Sequence, residues 1–265
     1  MNNPLGSSFG GFRLKSLKNK VEDEKSILDL RGQVNLGPKN KCPFPSRVFV
    51  INRSEREDRL EKFKINNSEL YQTFEVQRWE AVTPEFLPGC DIVDAIFQSF
   101  VTCMEFGFSR DESIIIMEDD AYIAKGGIEK LKEAWKDLPE DWDVLIGNHY
   151  HFGIMEILTD NIAKPTDRAS TANFGVYRRP ILQKIKDHRE SRNENLSKRD
   201  FDHFITSDSV PINNYTVWPM ISREIPSFSD HKGKELDVTI RIRENSFKYR
   251  FIDDETYYSS LEGWD

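Results

Sequence analysis

Apolar and polar positions along the chain fall into short alternating runs. RVFVI, from Arg47, is a β-branched apolar run that predicts a buried strand. SEREDRLEKFKI follows with helical spacing; Ser54 is a candidate N-cap and Glu57, three residues on, completes a capping-box pattern. FEVQRWEAV (Phe74–Val82) alternates as a second strand and ends at Thr83-Pro84. Asp91–Phe106 predicts a long helix with Ile92, Ala95, Ile96, Ser99, Phe100 and Cys103 on one face. SIIIM (Ser113–Met117) is the most apolar strand candidate. Gly126-Gly127 breaks the chain before a helix over Ile128–Leu138. WDVLIG (Trp142–Gly147) predicts another buried strand, and Thr171–Tyr177 and Thr216–Ile221 predict two more. A helix over Pro180–Asp187 opens on proline. Strands alternating with helices predict a layered α/β sheet, with no internal repeat.

The first 45 residues break this pattern. They are rich in Gly, Ser, Asn and Lys, carry eight basic and four acidic residues, and end in PKNKCPFP. They predict a basic amino-terminal arm or adaptor (1–45), with a short helix near Lys25–Leu30. The organised domain then spans 46–235, and 236–265 is an aromatic, mixed-charge segment that forms a strand pair or wraps the body. The whole chain has 265 residues and a net charge of -8, so its body is acidic, a poor footprint for nonspecific nucleic-acid binding. One further basic stretch, Arg178–Arg199, reads either as a solvated helix face or as a phosphate- or acceptor-facing surface. No apolar run approaches the ~20 residues of a membrane span. The amino-terminal residues lack the apolar core of a secretory signal. Cys42, Cys90 and Cys103 form no CxxC and cannot all pair, which predicts a reducing, cytoplasmic setting.

The chemistry concentrates where SIIIM ends. Glu118, Asp119 and Asp120 follow directly from that strand, and ligands of open α/β sheets bind beyond the carboxyl ends of strands. Three adjacent carboxylates repel one another, and a hard divalent cation, Mn²⁺ or Mg²⁺, compensates them naturally. A solvated acidic turn is the plainer reading. NHYHF places His149 and His151 at HxH spacing, which suits a metal less well than an acceptor-site or core role, since no third ligand is evident.

The order and spacing of these segments resemble glycosyltransferase family 25, over about Arg47 to Asp230. RVFVINRSEREDRLEKF is similar to that family's opening strand and turn, with Asn52, Asp58 and Arg59 matching and Arg53 in place of a usual Leu. FEVQRWEAVTP, the run from Gly89 to Ala121 ending in EDDA, TANFGVYRR, FDHFI and VWPMISREIPSFSD resemble its later segments. Val93 and Asp94 stand where Ser-His is usual, so no role of that pair transfers. Glu224 stands near a usual Gln. The resemblance implies a GT-A-like nucleotide-sugar-binding fold, with a mixed, mainly parallel central sheet flanked by helices. It also implies a nucleotide-sugar donor, most often a UDP-sugar, and inverting transfer to a hydroxyl acceptor.

On that reading the metal ligands are Asp120, Glu118 and His231. The donor is cradled by Asn52, Arg53, Arg59, Glu118 and Asp119. Arg59 reads equally as a surface partner of Glu55 or Glu61. His231 reads equally as an ordinary loop histidine, and Asp230 as an acceptor contact. The general base is Asp202, which matches the family's V-D-x-F-L aspartate, with Asp200 and Asp208 as rivals; helix capping explains all three as well. The expected acceptor is a glycan, a lipid-linked saccharide or a protein. Two other readings stay open: a hydroxylated base in DNA as acceptor, or a noncatalytic saccharide- or nucleotide-binding module. A metal-dependent phosphohydrolase is a distant fourth.

Overall fold

The computed structural model describes residues 36–87, 89–148, 155–165, 173–191, 201–206, 211–225, 227–229 and 234–236, and the features below belong to these. The helix expected near Lys25–Leu30 and the segment from 237 lie outside them.

The chain runs β1 (Arg47–Asn52), α1 (Glu57–Asn66), α2 (Ser68–Thr73), β2 (Glu75–Glu80), α3 (Ile92–Gly107), β3 (Ser113–Glu118) and β4 (Ala121–Ile123). It continues with α4 (Gly127–Asp137), β5 (Val144–Ile146), β6 (Met155–Ile157), β7 (Ile162–Pro165), β8 (Phe174–Arg178) and α5 (Pro180–Ser191). It closes with α6 (Phe201–Ile205), β9 (Asn214–Val217), β10 (Ser222–Glu224), β11 (Ser227–Ser229) and β12 (Lys234–Leu236). Eight strands form one sheet in the order β2-β1-β3-β8-β5-β9-β7-β6, and two-stranded ribbons pair β10 with β4 and β11 with β12.

The architecture is α/β, with a mixed sheet covered by helices on both faces. β1 pairs in parallel with both β2 and β3. β8 then inserts antiparallel between β3 and β5, and β5 pairs in parallel with β9. β7 and β6 add antiparallel hairpin strands at the far edge. Burial on both faces explains why β1 and β3 read as unbroken apolar runs. Val48, Val50, Ile115 and Met117 face one core, which α1, α2 and α4 cover with Phe63, Leu70, Leu131 and Trp135. Phe49, Ile51, Ile114 and Ile116 face the other, which α3, α5 and α6 cover with Phe100, Ile181, Phe201 and Phe204. Phe100 and Phe201 stack there with ring centroids 4.1 Å apart.

Local sequence explains most boundaries. Asp91 caps α3 by accepting from the Asp94 N–H at 2.9 Å. The αL conformation at Gly126 (φ 78) turns the chain into α4, a geometry that only glycine adopts freely. The capping box at Ser54 does not form. α1 begins at Glu57 with Arg56 in the cap position and no side-chain cap. Residues 54 and 55 instead make a turn closed by Arg56 N–H to Arg53 O, and the Ser54 N–H goes to the Glu80 carboxylate across the strand ends. The strand expected over Thr216–Ile221 is interrupted: β9 ends at Val217, a cis Trp218-Pro219 bond follows, and the chain restarts as β10.

Residues 36–45 pack on the body. Lys39 bridges to Pro139, the Trp135 indole N–H donates to Cys42 O, and Phe44 meets Trp135 edge-on. Cys42, Cys90 and Cys103 are all free thiols. Among the described residues no helix is long and apolar enough to cross a membrane.

Candidate functional site

The three carboxylates sit at the carboxyl end of β3, held from below and from the side. β4 continues directly from them and pairs with β10, so that Glu224 lies opposite Ala121 and the Ile225 N–H donates to Asp120 O at 2.7 Å. Buried Asn67, at the α1–α2 junction, donates to Ala121 O and accepts from the Ile123 N–H. The acidic turn is therefore a fixed piece of backbone, which a solvated turn would not require.

Glu118 ends β3 on the α3 side, whereas Asp119 and Asp120 stand in the turn beyond the strand, where they are reached from the α1 side. On the α1 side, Asn52 follows Val48 and Val50 at the end of β1. Its amide donates to Asp119 Oδ2 at 2.7 Å and to Arg56 O at 2.9 Å. Arg59, one turn into α1, reaches over with one terminal nitrogen 2.5 Å from Asp119 Oδ1 and 2.7 Å from Asp120 Oδ2. Both Asp119 oxygens are thus occupied by protein. Asp120 keeps one, its buried Oδ1, without a hydrogen-bond partner. The Arg59 side chain is only 13% exposed and is not a surface partner of Glu55 or Glu61. Arg53, just past β1, pairs with Glu55.

On the α3 side, Glu118 follows Ile114 and Ile116. Its N–H donates to Asn173 O at 2.9 Å, which carries the β3–β8 ladder one residue further and sets Glu118 beside Asn173. Asp202, at the start of α6, is close enough for its charge to act on both Glu118 and Tyr177. Asp200, Asp208 and His231 lie outside the described residues, as do His149, His151 and Asp230.

Asp120, Glu224, Asp119 and Asp202 all act on Glu118, while Arg59, Asp120 and, less strongly, Arg56 act on Asp119. Burial, reinforced by Asp120, Glu224, Asp119 and Asp202, pushes the Glu118 carboxyl well above its usual range. Burial also raises Asp119, to about 6, although Arg59 and Asn52 pull the other way. Burial alone would weaken the Arg59 charge, but Asp120, Asp119 and Glu118 more than offset it and raise its pKa.

Among the described residues no three His, Cys, Asp or Glu side chains converge as a metal site. Arg59 occupies one oxygen each of Asp119 and Asp120. What remains is the open Oδ1 of Asp120, a carboxylate whose charge acts on Glu118. That all-oxygen set, with unpartnered negative charge, fits Mn²⁺ or Mg²⁺, which are commonly held by one or two carboxylates and substrate phosphates.

Sequence reasoning gave no site role to three members of this neighbourhood, Glu224, Asn173 and Tyr177, which it met only inside segments resembling the family. Glu224 reaches the acidic turn only through the β4–β10 pairing, and the other two through the antiparallel insertion of β8, neither of which leaves a local signal.

The basic stretch looks different in three dimensions. Arg179 pairs with Glu112, Lys184 with buried Asp143 and Lys186 with Glu105, while Arg178 donates to Glu140 O. Three of its basic side chains are thus paired with carboxylates.

No known family profile and no curated protein matches this chain. The kinship with glycosyltransferase family 25 therefore stays a resemblance. Among solved structures, the chain is similar to A197 from STIV (TM-score 0.43, 11% identity, covering 73% of this chain and 93% of that one). It is also similar to a glycosyltransferase involved in glycosylation of the major capsid of PBCV-1 (TM-score 0.45, 10% identity, 76% and 98% covered). A third is the glycosyltransferase GlyE of Streptococcus pneumoniae TIGR4 (TM-score 0.38, 9% identity, 66% and 46% covered).

Proposed function

We propose that this chain is a glycosyltransferase that moves a sugar from a nucleotide-sugar donor, a UDP-sugar, to a hydroxyl of a glycan, lipid-linked saccharide or protein. The observation that carries the reading is the open Oδ1 of Asp120, whose other oxygen Arg59 holds, just past the carboxyl end of a central strand where acidic neighbours act on Glu118. Asp120 and Glu118 would hold a divalent ion there, which would supply charge neutralisation at the departing diphosphate.

The chain's own residues supply the rest. Asn52 and Arg59 fix Asp119, and Arg59 also orients Asp120. Asp202 takes the proton of the acceptor hydroxyl as its oxygen bonds to the anomeric carbon. The bond from that carbon to the diphosphate oxygen breaks, and the nucleoside diphosphate leaves with the electron pair. With four basic side chains of Arg178–Arg199 already bonded to acidic partners or backbone, a DNA acceptor has less to recommend it.

Thermal unfolding tests this reading. A ligand at 100 times its Kd adds about 2.7 kcal/mol to the folded state. UDP-sugar with Mn²⁺ should raise Tm, and Asp120→Asn should abolish the Mn²⁺-dependent part. No shift with any UDP-sugar in Mn²⁺ would overturn the proposal.

A further inference from the structure

Below Glu118, on the α3 side, the sheet holds a row of polar atoms that the fold itself does not satisfy. Asn173 is fully buried, and neither its amide oxygen nor its amide nitrogen has a hydrogen-bond partner. Tyr177 is also fully buried, and its hydroxyl has no partner either. Tyr177 lies in β8 and Asn173 immediately precedes it, where the Glu118 N–H to Asn173 O bond continues the ladder, so residues 173, 175 and 177 project to one face. The residue between them is Gly175. A Cβ there would lie 2.5 Å from the Tyr177 hydroxyl and 2.6 Å from its Cζ. The end of the phenol therefore lies over Gly175, the residue between Tyr177 and Asn173 on that face. Glu118 flanks Asn173 across the ladder, and the charges of Glu118 and Asp202 both act on Tyr177.

Buried amides and hydroxyls are almost always hydrogen-bonded, because each one left unmade is costly. Three unmade atoms on the face that Glu118 shares offer partners to a ligand rich in groups that both donate and accept. An amide offers one acceptor and two donors, and a phenol offers one of each, which matches adjacent hydroxyls on a ring.

We propose that Asn173 and Tyr177 form the subsite that reads the hydroxyls of the transferred sugar and so determine which sugar is accepted. This rests on the glycosyltransferase reading above. A site built to hydrogen-bond a hydroxyl discriminates strongly, because a substrate lacking that group leaves the protein atoms unpaired.

The test compares UDP with UDP-glucose, UDP-galactose and UDP-N-acetylglucosamine by titration calorimetry in Mn²⁺. The proteins are the full-length chain, Asn173→Ala and Tyr177→Phe. The wild type should bind one UDP-sugar more tightly than UDP. Each variant should lose about tenfold of that sugar-dependent gain while keeping its affinity for UDP. Tyr177→Phe keeps the buried ring, so its thermal stability without ligand should match or exceed wild type. That guards against a loss that is merely unfolding. Equal wild-type affinity for UDP and every UDP-sugar, or variants that keep the full gain, would overturn the subsite while leaving the donor site standing. Failure of the wild type to bind UDP or any UDP-sugar would overturn the glycosyltransferase reading and this inference with it.

Discussion

Replacing Arg59 with methionine isolates the electrostatics of the site. The pairs it makes are largely removed from water, with side-chain exposures of 13% for Arg59, 10% for Asp119 and 20% for Asp120. An exposed ion pair contributes about 0–1 kcal/mol. A buried one whose cation is removed leaves uncompensated charge, at a cost of about 3–5 kcal/mol. Methionine retains most of the aliphatic stem, so lost packing is a minor part. We therefore expect Arg59→Met to lower unfolding free energy by about 3 kcal/mol at pH 7.5. The sign of the pH dependence follows from Asp119. Its carboxyl already titrates at about 6, held down in part by Arg59. Without Arg59 its pKa rises further, so at pH 5 it takes up a proton and its share of the uncompensated charge disappears. The penalty should shrink as pH falls from 7.5 to 5. Urea denaturation at both pH values measures it, with the slope m checked for constancy. A penalty below 1 kcal/mol at pH 7.5, or one that grows towards pH 5, would show that these carboxylates do not depend on Arg59.

Two further outcomes follow from the same geometry. Glu118 and Asp119 have raised pKa values, so the folded state binds protons more tightly than the unfolded one, and stability without ligand should fall as pH rises from about 4 through 6 and beyond. Glu118→Gln should flatten that decline in a pH series of Tm values; an equally steep decline would contradict the assignment. Gly175→Ala should destabilise by about 1–3 kcal/mol, because its Cβ would overlap the Tyr177 ring, and a stability change within about 0.5 kcal/mol by urea denaturation would show that the ring moves aside freely.

Local signals carried much of the fold. RVFVI and SIIIM could only be strands buried on both faces, and Asp91 with its periodic apolar face marked α3 and its start. Those signals share one property: each lies within a single element and depends on neighbours a few residues away. β4, β6, β7 and β10 were not legible, because each has only three or four residues and is a strand by virtue of its partner. The missing capping box at Ser54 has the same origin, since the Glu80 carboxylate, brought alongside by parallel pairing of β1 and β2, claims the Ser54 N–H.

The site divides in the same way. That carboxylates gather at the end of a buried strand was written in IIIMEDD. Their division of labour was not. Strand alternation sends Glu118 to one face, while Asn52 and Arg59 on the other occupy both oxygens of Asp119 and one of Asp120. Asn173 stands opposite Glu118, with Tyr177 further along the same face, only because β8 runs antiparallel against β3, and Glu224 reaches the acidic turn only because β10 folds back on β4. Sequence alone determined which residue types were available and where strands would end, because covalent order and hydrophobic periodicity suffice for that. Which of those residues share charge, and which buried atoms remain open for a ligand, was decided by long-range pairing, because electrostatic and hydrogen-bond partners are set by distance in space.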